Sequence, residues 1–199
     1  MESSGHLYYI ERQWFAFAKR SETFDVNKQK IIFIGDSIID MFCVEDIFDG
    51  INFGISGEKI SNAKKKINTL KNLDNKTIVL AYGINDIPRD TEAFIADYKT
   101  LINNLNFNGE IFIQSILPIE ETIHKIYWGT VKTNEQIDVY NIALQRMCDE
   151  YDNCTFIDVR DNLSDETGQL RLDLQTGDGV HLNKNGYIIL KENYNKFLI

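Results

Sequence analysis

The chain has 199 residues, 43% of them hydrophobic, with 21 basic against 30 acidic residues for a formal net charge of −9. That length supports a sizeable core, while the acidic balance argues against a nucleic-acid surface, which needs clustered cations. No stretch approaches the roughly 20 apolar residues that span a bilayer, so no membrane insertion is expected.

In chain order, residues 1–25 read as a leading helical segment, with helix over 7–20 and an apolar face from Trp14, Phe15, Phe17 and Ala18. Leu7-Tyr8-Tyr9-Ile10, interrupted by Glu11-Arg12, is too short for the apolar core of a secretory signal, which points to a cytoplasmic protein. Strands are predicted near 30–34, 50–53, 76–82, 109–117 and 154–158, alternating with helices near 38–48, 58–72, 91–105, 134–151 and 184–197. Lys64-Lys65-Lys66, the one dense basic run, falls on the second of these helices as a solvated face. The residues from 119 to 133 form a long connection after the fourth strand. With no repeats, Pro-rich linkers or low-complexity tracts, 1–199 reads as a single domain.

Four segments at strand ends or before the last helix carry chemistry. The apolar run Ile31-Ile32-Phe33-Ile34 stops at Gly35-Asp36-Ser37, which offers a serine where a strand turns into a helix. Asn52-Phe53-Gly54-Ile55-Ser56-Gly57 follows the second strand, and its glycines allow close backbone approach to a ligand. Gly83-Ile84-Asn85-Asp86 places an amide side chain after the third strand. Asp178-Gly179-Val180-His181 sets a carboxylate three residues before an imidazole. Serine is a poor nucleophile at neutral pH and needs a base such as His181, whose tautomer Asp178 would fix. A tetrahedral oxyanion needs donors, available from the backbone N–H groups of Ser37 and Gly57 and the Asn85 amide. Each segment also has a plainer reading: Ser37 as a helix cap, Gly57 and Asn85 as turn residues, and Asp178-Gly179 as an ordinary turn.

Together these blocks resemble the SGNH hydrolases, also called the GDSL family of esterases and lipases. Gly35-Asp36-Ser37 is similar to the family's nucleophile block, Gly57 to its second-block glycine, Gly83-x-Asn85-Asp86 to its third block and Asp178-x-x-His181 to its last, in order across 31–186. Gly54 competes for the second-block position, and its spacing from Asn52 favours Gly57. The resemblance implies Ser37, Asp178 and His181 as the catalytic triad and Ser37, Gly57 and Asn85 as the oxyanion hole. It also implies a three-layer α/β/α sandwich of flavodoxin-like kind, with helices on both faces of a five-stranded parallel sheet.

Other α/β functions lack their motifs: there is no GxxxxGK[ST], no GxGxxG, and Ser37 is not set in GxSxG. The proposed chemistry needs no cofactor. No metal site is expected from the His and Cys spacings, and Glu166 stands where an EF-hand loop over 161–166 would need glycine. Three cysteines, Cys43, Cys148 and Cys154, make an odd count without a CxxC pair, so buried thiols are expected rather than a disulfide framework. His6 lies near the terminus, and His124 falls in the long connection without a well-spaced carboxylate beyond Glu120 and Glu121. In that connection Tyr127 and Trp128 are candidates to line an acyl pocket or stack on a sugar, or else to anchor the loop. The expected activity is hydrolysis of a small-molecule carboxylic ester through an acyl-enzyme. A carbohydrate O-acetylesterase, a lysophospholipase or thioesterase, an acyltransferase on the same triad, and a non-catalytic carbohydrate- or lipid-binding protein stay open, as does the oligomeric state.

Overall fold

The computed structural model describes residues 4–22, 30–71, 73 and 76–198. A leading helix α1 (Ser4–Glu22) precedes β1 (Ile31–Gly35), and two single-turn helices, α2 (Ser37–Asp40) and α3 (Val44–Ile47), lead to β2 (Gly50–Gly54). Helix α4 (Ile60–Lys66) ends in a 3-10 turn before β3 (Thr77–Ala81), and α5 (Thr91–Leu105) leads to β4 (Ile111–Gln114). Helices α6 (Glu121–Trp128) and α7 (Asn134–Cys148) then precede β5 (Cys154–Ile157), and α8 (Lys184–Tyr194) closes the order. The side chain of His6 and residues 23–25 of the expected leading segment lie outside the described residues.

All five strands are parallel, in the order β2-β1-β3-β4-β5. Successive strand side chains point to opposite faces, and here both faces are apolar. Ile32 and Ile34 of β1, with Ile78 and Leu80 of β3, join a core shared with α1, α4, α5 and α7. Phe33, Val79 and Ala81, from the same strands, join a second core with α2, α3 and α8. The continuous apolar runs read in the sequence are therefore the middle layer of a three-layer α/β/α sandwich. The strand order reverses direction between β1 and β3, and in such sheets the crevice at the carboxyl ends of those strands is where ligands bind.

Three local expectations are corrected. The helix expected over 38–48 is split, because the Asn52 side chain donates to the carbonyls of Ile39 (2.5 Å) and Phe42 (2.8 Å) and so ends the first turn early. The expected connection over 119–133 contains α6, which Glu120 caps through the Ile123 N–H (2.5 Å) and which Gly129 ends in the left-handed region at φ 66°. Cys148 and Cys154 are not free thiols: they form a disulfide across 5.2 Å between Cα atoms, joining the end of α7 to the start of β5. Cys43 is free and exposed rather than buried.

Candidate active site

Ser37 is the first residue of α2. The capping role considered for it belongs to Asp36, whose carboxylate accepts from the Ile38 N–H at 3.0 Å. That leaves the Ser37 hydroxyl, at the end of β1, free of the capping role and on the wall of a cavity. Neighbouring contacts hold the turn in place: Tyr187 of α8 donates to the Ile38 carbonyl (2.9 Å), and Asp40 accepts from the N–H (3.1 Å) and hydroxyl (2.5 Å) of Ser56. Gly54 is required for another reason, since a Cβ there would lie 2.0 Å from the Asp40 nitrogen. Gly57 sits at φ 77° and lines the cavity over Ser37, whereas Gly54 packs beneath α2.

The Ser37 Oγ lies 2.8 Å from His181 Nε2, and His181 Nδ1 lies 2.5 Å from Asp178 Oδ2. The other Asp178 oxygen accepts from the N–H groups of Val180 and His181, both at 2.9 Å, so the carboxylate is held by its own turn. Burial would raise the Asp178 pKa, but the hydrogen bonds from the His181 ring and from these two N–H groups outweigh it and hold the pKa below the usual carboxylate value. Gly179 permits the turn at φ 80°, and a Cβ there would come within 2.6 Å of the His124 nitrogen. Residues from opposite ends of the chain thus form one hydrogen-bonded series from carboxylate to imidazole to hydroxyl.

The Asn85 side chain donates to the Glu58 carbonyl at 3.1 Å, tying the loop after β3 to the loop after β2. An amide carries two N–H groups, so this tie leaves a second one for a ligand. Glu58 is fully buried and accepts from the indole of Trp14 at 2.7 Å, so α1 braces the loop that presents Gly57. Next to this loop Asp86 accepts from the Ile60 N–H at 3.2 Å. Burial raises Asp86 to about 6 despite that bond and the nearby Arg89 and Lys59 charges. Burial likewise raises Asp36 to about 7, with Asp86 adding to the rise and the Ile38 hydrogen bond and Lys132 opposing it.

A cavity of about 470 Å³ opens over Ser37, and Gly57, Asn85, Trp128 and His181 also line it. Trp128 sets its ring edge-on to His181, with centroids 6.0 Å apart, and donates its indole N–H to the Asp178 carbonyl at 3.2 Å. Tyr127 lies outside the cavity: it is 63% exposed and packs on Trp128, so its expected place in the pocket is corrected. Adjacent helical residues point about 100° apart, and only one of the pair can face inward. Sequence reasoning passed over Lys132 and His124, both in the cavity wall. His124 lies four residues before Trp128 on one face of α6, a signal that required the helix to be recognised.

A parallel sheet with a hydroxyl, an imidazole and a carboxylate in series at its carboxyl edge has the arrangement of a serine hydrolase, and the family match fixes the bond it acts on as an ester. The GDSL-like lipase/acylhydrolase family model matches residues 33–189, and the chain belongs to that family. Among solved structures it is similar to a candidate platelet activating factor from Streptococcus pneumonia, at 26% identity and a TM-score of 0.86, covering 97% of this chain and 94% of that one. It is also similar in fold to a GDSL-like lipase from Bacteroides thetaiotaomicron, at 16% identity and TM-score 0.69, covering 92% and 95% of the two chains. A catalytic mutant of an acetylxylan esterase from Geobacillus stearothermophilus shares the fold at 18% identity and TM-score 0.63, covering 84% and 93%. No curated protein matches the sequence. No helix among the described residues is long and apolar enough to cross a membrane.

Proposed function

We propose that this chain cleaves small-molecule carboxylic esters through an acyl-enzyme formed on Ser37. The observation that carries the reading is the series Asp178, His181 and Ser37, at 2.5 Å and 2.8 Å. In this mechanism Ser37 Oγ attacks the ester carbonyl while His181 Nε2 takes its proton, and Asp178 stabilises the resulting imidazolium. The oxyanion is met by the backbone N–H groups of Ser37 and Gly57 and by the second N–H of the Asn85 amide. Collapse breaks the bond to the alkoxy oxygen, which leaves as the alcohol with the proton from His181. Water, deprotonated by His181, then releases the acid and restores Ser37. All three steps run on side chains and backbone of this chain.

The cavity over Ser37, about 470 Å³, has room for an ester and its acyl chain. Ile84 and Val180 separate it from a further void of about 20 Å³, room for little more than a water molecule. Helices α1 to α5, α7 and α8 share their two cores with one sheet, which supports treating 1–199 as a single domain led by the 1–25 helical segment. The test is hydrolysis of p-nitrophenyl acetate, butyrate and octanoate by wild type beside Ser37→Ala, with fluorophosphonate labelling mapped by mass spectrometry. The expected result is a rate that vanishes in Ser37→Ala and accompanies a label on Ser37, with the chain-length profile reading the acyl preference. Equal rates in the two proteins, or a label elsewhere, would overturn the assignment.

A further inference from the structure

Lys132 sits in the short connection between α6 and α7, and both ends of that connection are fixed. Gly129 closes α6 in the left-handed region, and Thr133 opens α7 with a capping box in which its hydroxyl accepts from the Gln136 N–H and Gln136 returns a bond to the Thr133 N–H. The lysine is thereby aimed into the cavity over Ser37, where its ammonium donates to the Ile84 carbonyl, one residue before Asn85. An ammonium has three donors, and this bond uses one. No carboxylate among the described residues forms an ion pair with it. The two acids whose charges act on it bond elsewhere: Asp36 caps α2 through Ile38, and Asp86 accepts from Ile60 through one oxygen, with Arg89 4.0 Å from the other. Burial lowers the Lys132 pKa against the charges of Asp36 and Asp86, neither of which forms an ion pair with it, so an ammonium fixed beside the reacting centre favours a ligand that brings a negative charge into contact.

His124 stands in the same wall. It is 3% exposed, and its Nδ1 finds no hydrogen-bond partner among the described residues. Burial and the Lys132 charge lower its pKa, against the nearby Asp178 charge. Nδ1 is thus a buried ring nitrogen in the pocket wall with no protein partner among the described residues, and the attraction for an anion comes from Lys132.

We infer that Lys132 makes this pocket selective for esters that carry an anionic oxygen group, a carboxylate or a phosphate, close to the scissile bond. The inference rests on the reading of Ser37 as the attacking group. Its test compares wild type, Lys132→Met and Lys132→Arg on 4-acetoxybenzoate and 4-acetoxyphenyl phosphate beside phenyl acetate, and on monophenyl glutarate beside phenyl butyrate. The quantity read is the ratio of kcat/KM for the anionic ester to that for its neutral parent, in which any general damage from loosening the Ile84 loop cancels. The ratio is expected to fall at least tenfold in Lys132→Met, through KM, and to be largely retained in Lys132→Arg. The three anionic esters show whether carboxylate or phosphate is preferred, and on which side of the ester. An unchanged ratio in Lys132→Met for all three would reduce the lysine to a clamp on Ile84 and overturn the inference. A readout without turnover separates this from the fate of the mechanism: binding of 4-hydroxybenzoate and phenyl phosphate against phenol, followed by tryptophan fluorescence in Ser37→Ala and in Ser37→Ala with Lys132→Met. Lys132-dependent binding of the anions supports the inference even if no ester is hydrolysed, and equal binding by both proteins counts against it.

Discussion

Asp178→Asn isolates the charge behind His181 with little change of shape. The new side chain keeps an oxygen for the N–H groups of Val180 and His181, which now reach Asp178 at 2.9 Å, so the turn and the fold should persist. What is lost is the negative charge 2.5 Å from His181 Nδ1. Taking about 4 Å between charge centres and an effective dielectric near 20, the carboxylate stabilises the imidazolium by about 4 kcal/mol. At about 1.4 kcal/mol per decade that is about 10³-fold in rate. The Asn amide also donates towards Nδ1, favouring the tautomer whose Nε2 carries a proton and cannot accept one from Ser37, so the loss should be at least this large. The assay is kcat on p-nitrophenyl acetate for wild type and variant, with thermal unfolding as the control on the fold. A variant with an unchanged Tm and a kcat within tenfold of wild type would refute the assignment of Asp178 as the group that orients and stabilises His181.

Other substitutions separate neighbouring roles. Asn85→Ala removes a donor to the oxyanion, for a kcat loss of about 10²-fold or more, and also the tie to Glu58, for a small fall in Tm; an unchanged kcat would leave Asn85 as a loop tie alone. Trp128→Ala should raise KM, because the indole walls the cavity and bonds Asp178, whereas Tyr127→Ala should leave KM within about twofold, its ring lying outside; equal effects would contradict this division, and steady-state kinetics on the acetate decide it. Asp36→Asn tests the buried acid behind the nucleophile. With a folded pKa of about 7 against 3.8, Asp36 keeps its proton in the folded state while the unfolded chain has lost it, so its contribution to stability is present below pH 3.8 and declines until pH 7. Asn keeps the bond to Ile38 and does not titrate, so between pH 5 and pH 8 the variant should gain on wild type by up to about 2 kcal/mol; parallel urea-unfolding curves across that range would contradict it.

The sheet and the loops at its carboxyl edge were legible because their signals are local. Apolar runs such as Ile31 to Ile34 and Ile78 to Leu80 end at Gly-containing turns, and the residues placed there, Ser37, Gly57 and Asn85, line one cavity. What was not legible depends on contacts between distant residues. The break between α2 and α3 follows from Asn52 capturing two carbonyls, which no periodicity within 38–48 reveals. Helix α6 begins at Glu120, a poor capping residue by type, and so its start was hidden although Gly129 marks its end. With α6 unrecognised, Tyr127 and Trp128 looked equivalent and His124 looked isolated, while Lys132 had no place at all. The odd cysteine count concealed the pair that the ends of α7 and β5 bring together.

The matched family segment, 33–189, is narrower than the unit that stands up physically. Ile10 and Trp14 are core residues, and the Trp14 indole bonds the Glu58 carboxylate one position from Gly57; at the other end Tyr194 is fully buried and bonds Gln114. A chain trimmed to the matched residues would strip a wall from each core and remove the indole N–H that the Glu58 carboxylate accepts. Anyone dissecting or transplanting this hydrolase should therefore carry the flanking helices as parts of the catalytic frame, and an inactive trimmed version would say nothing about the chemistry of the serine.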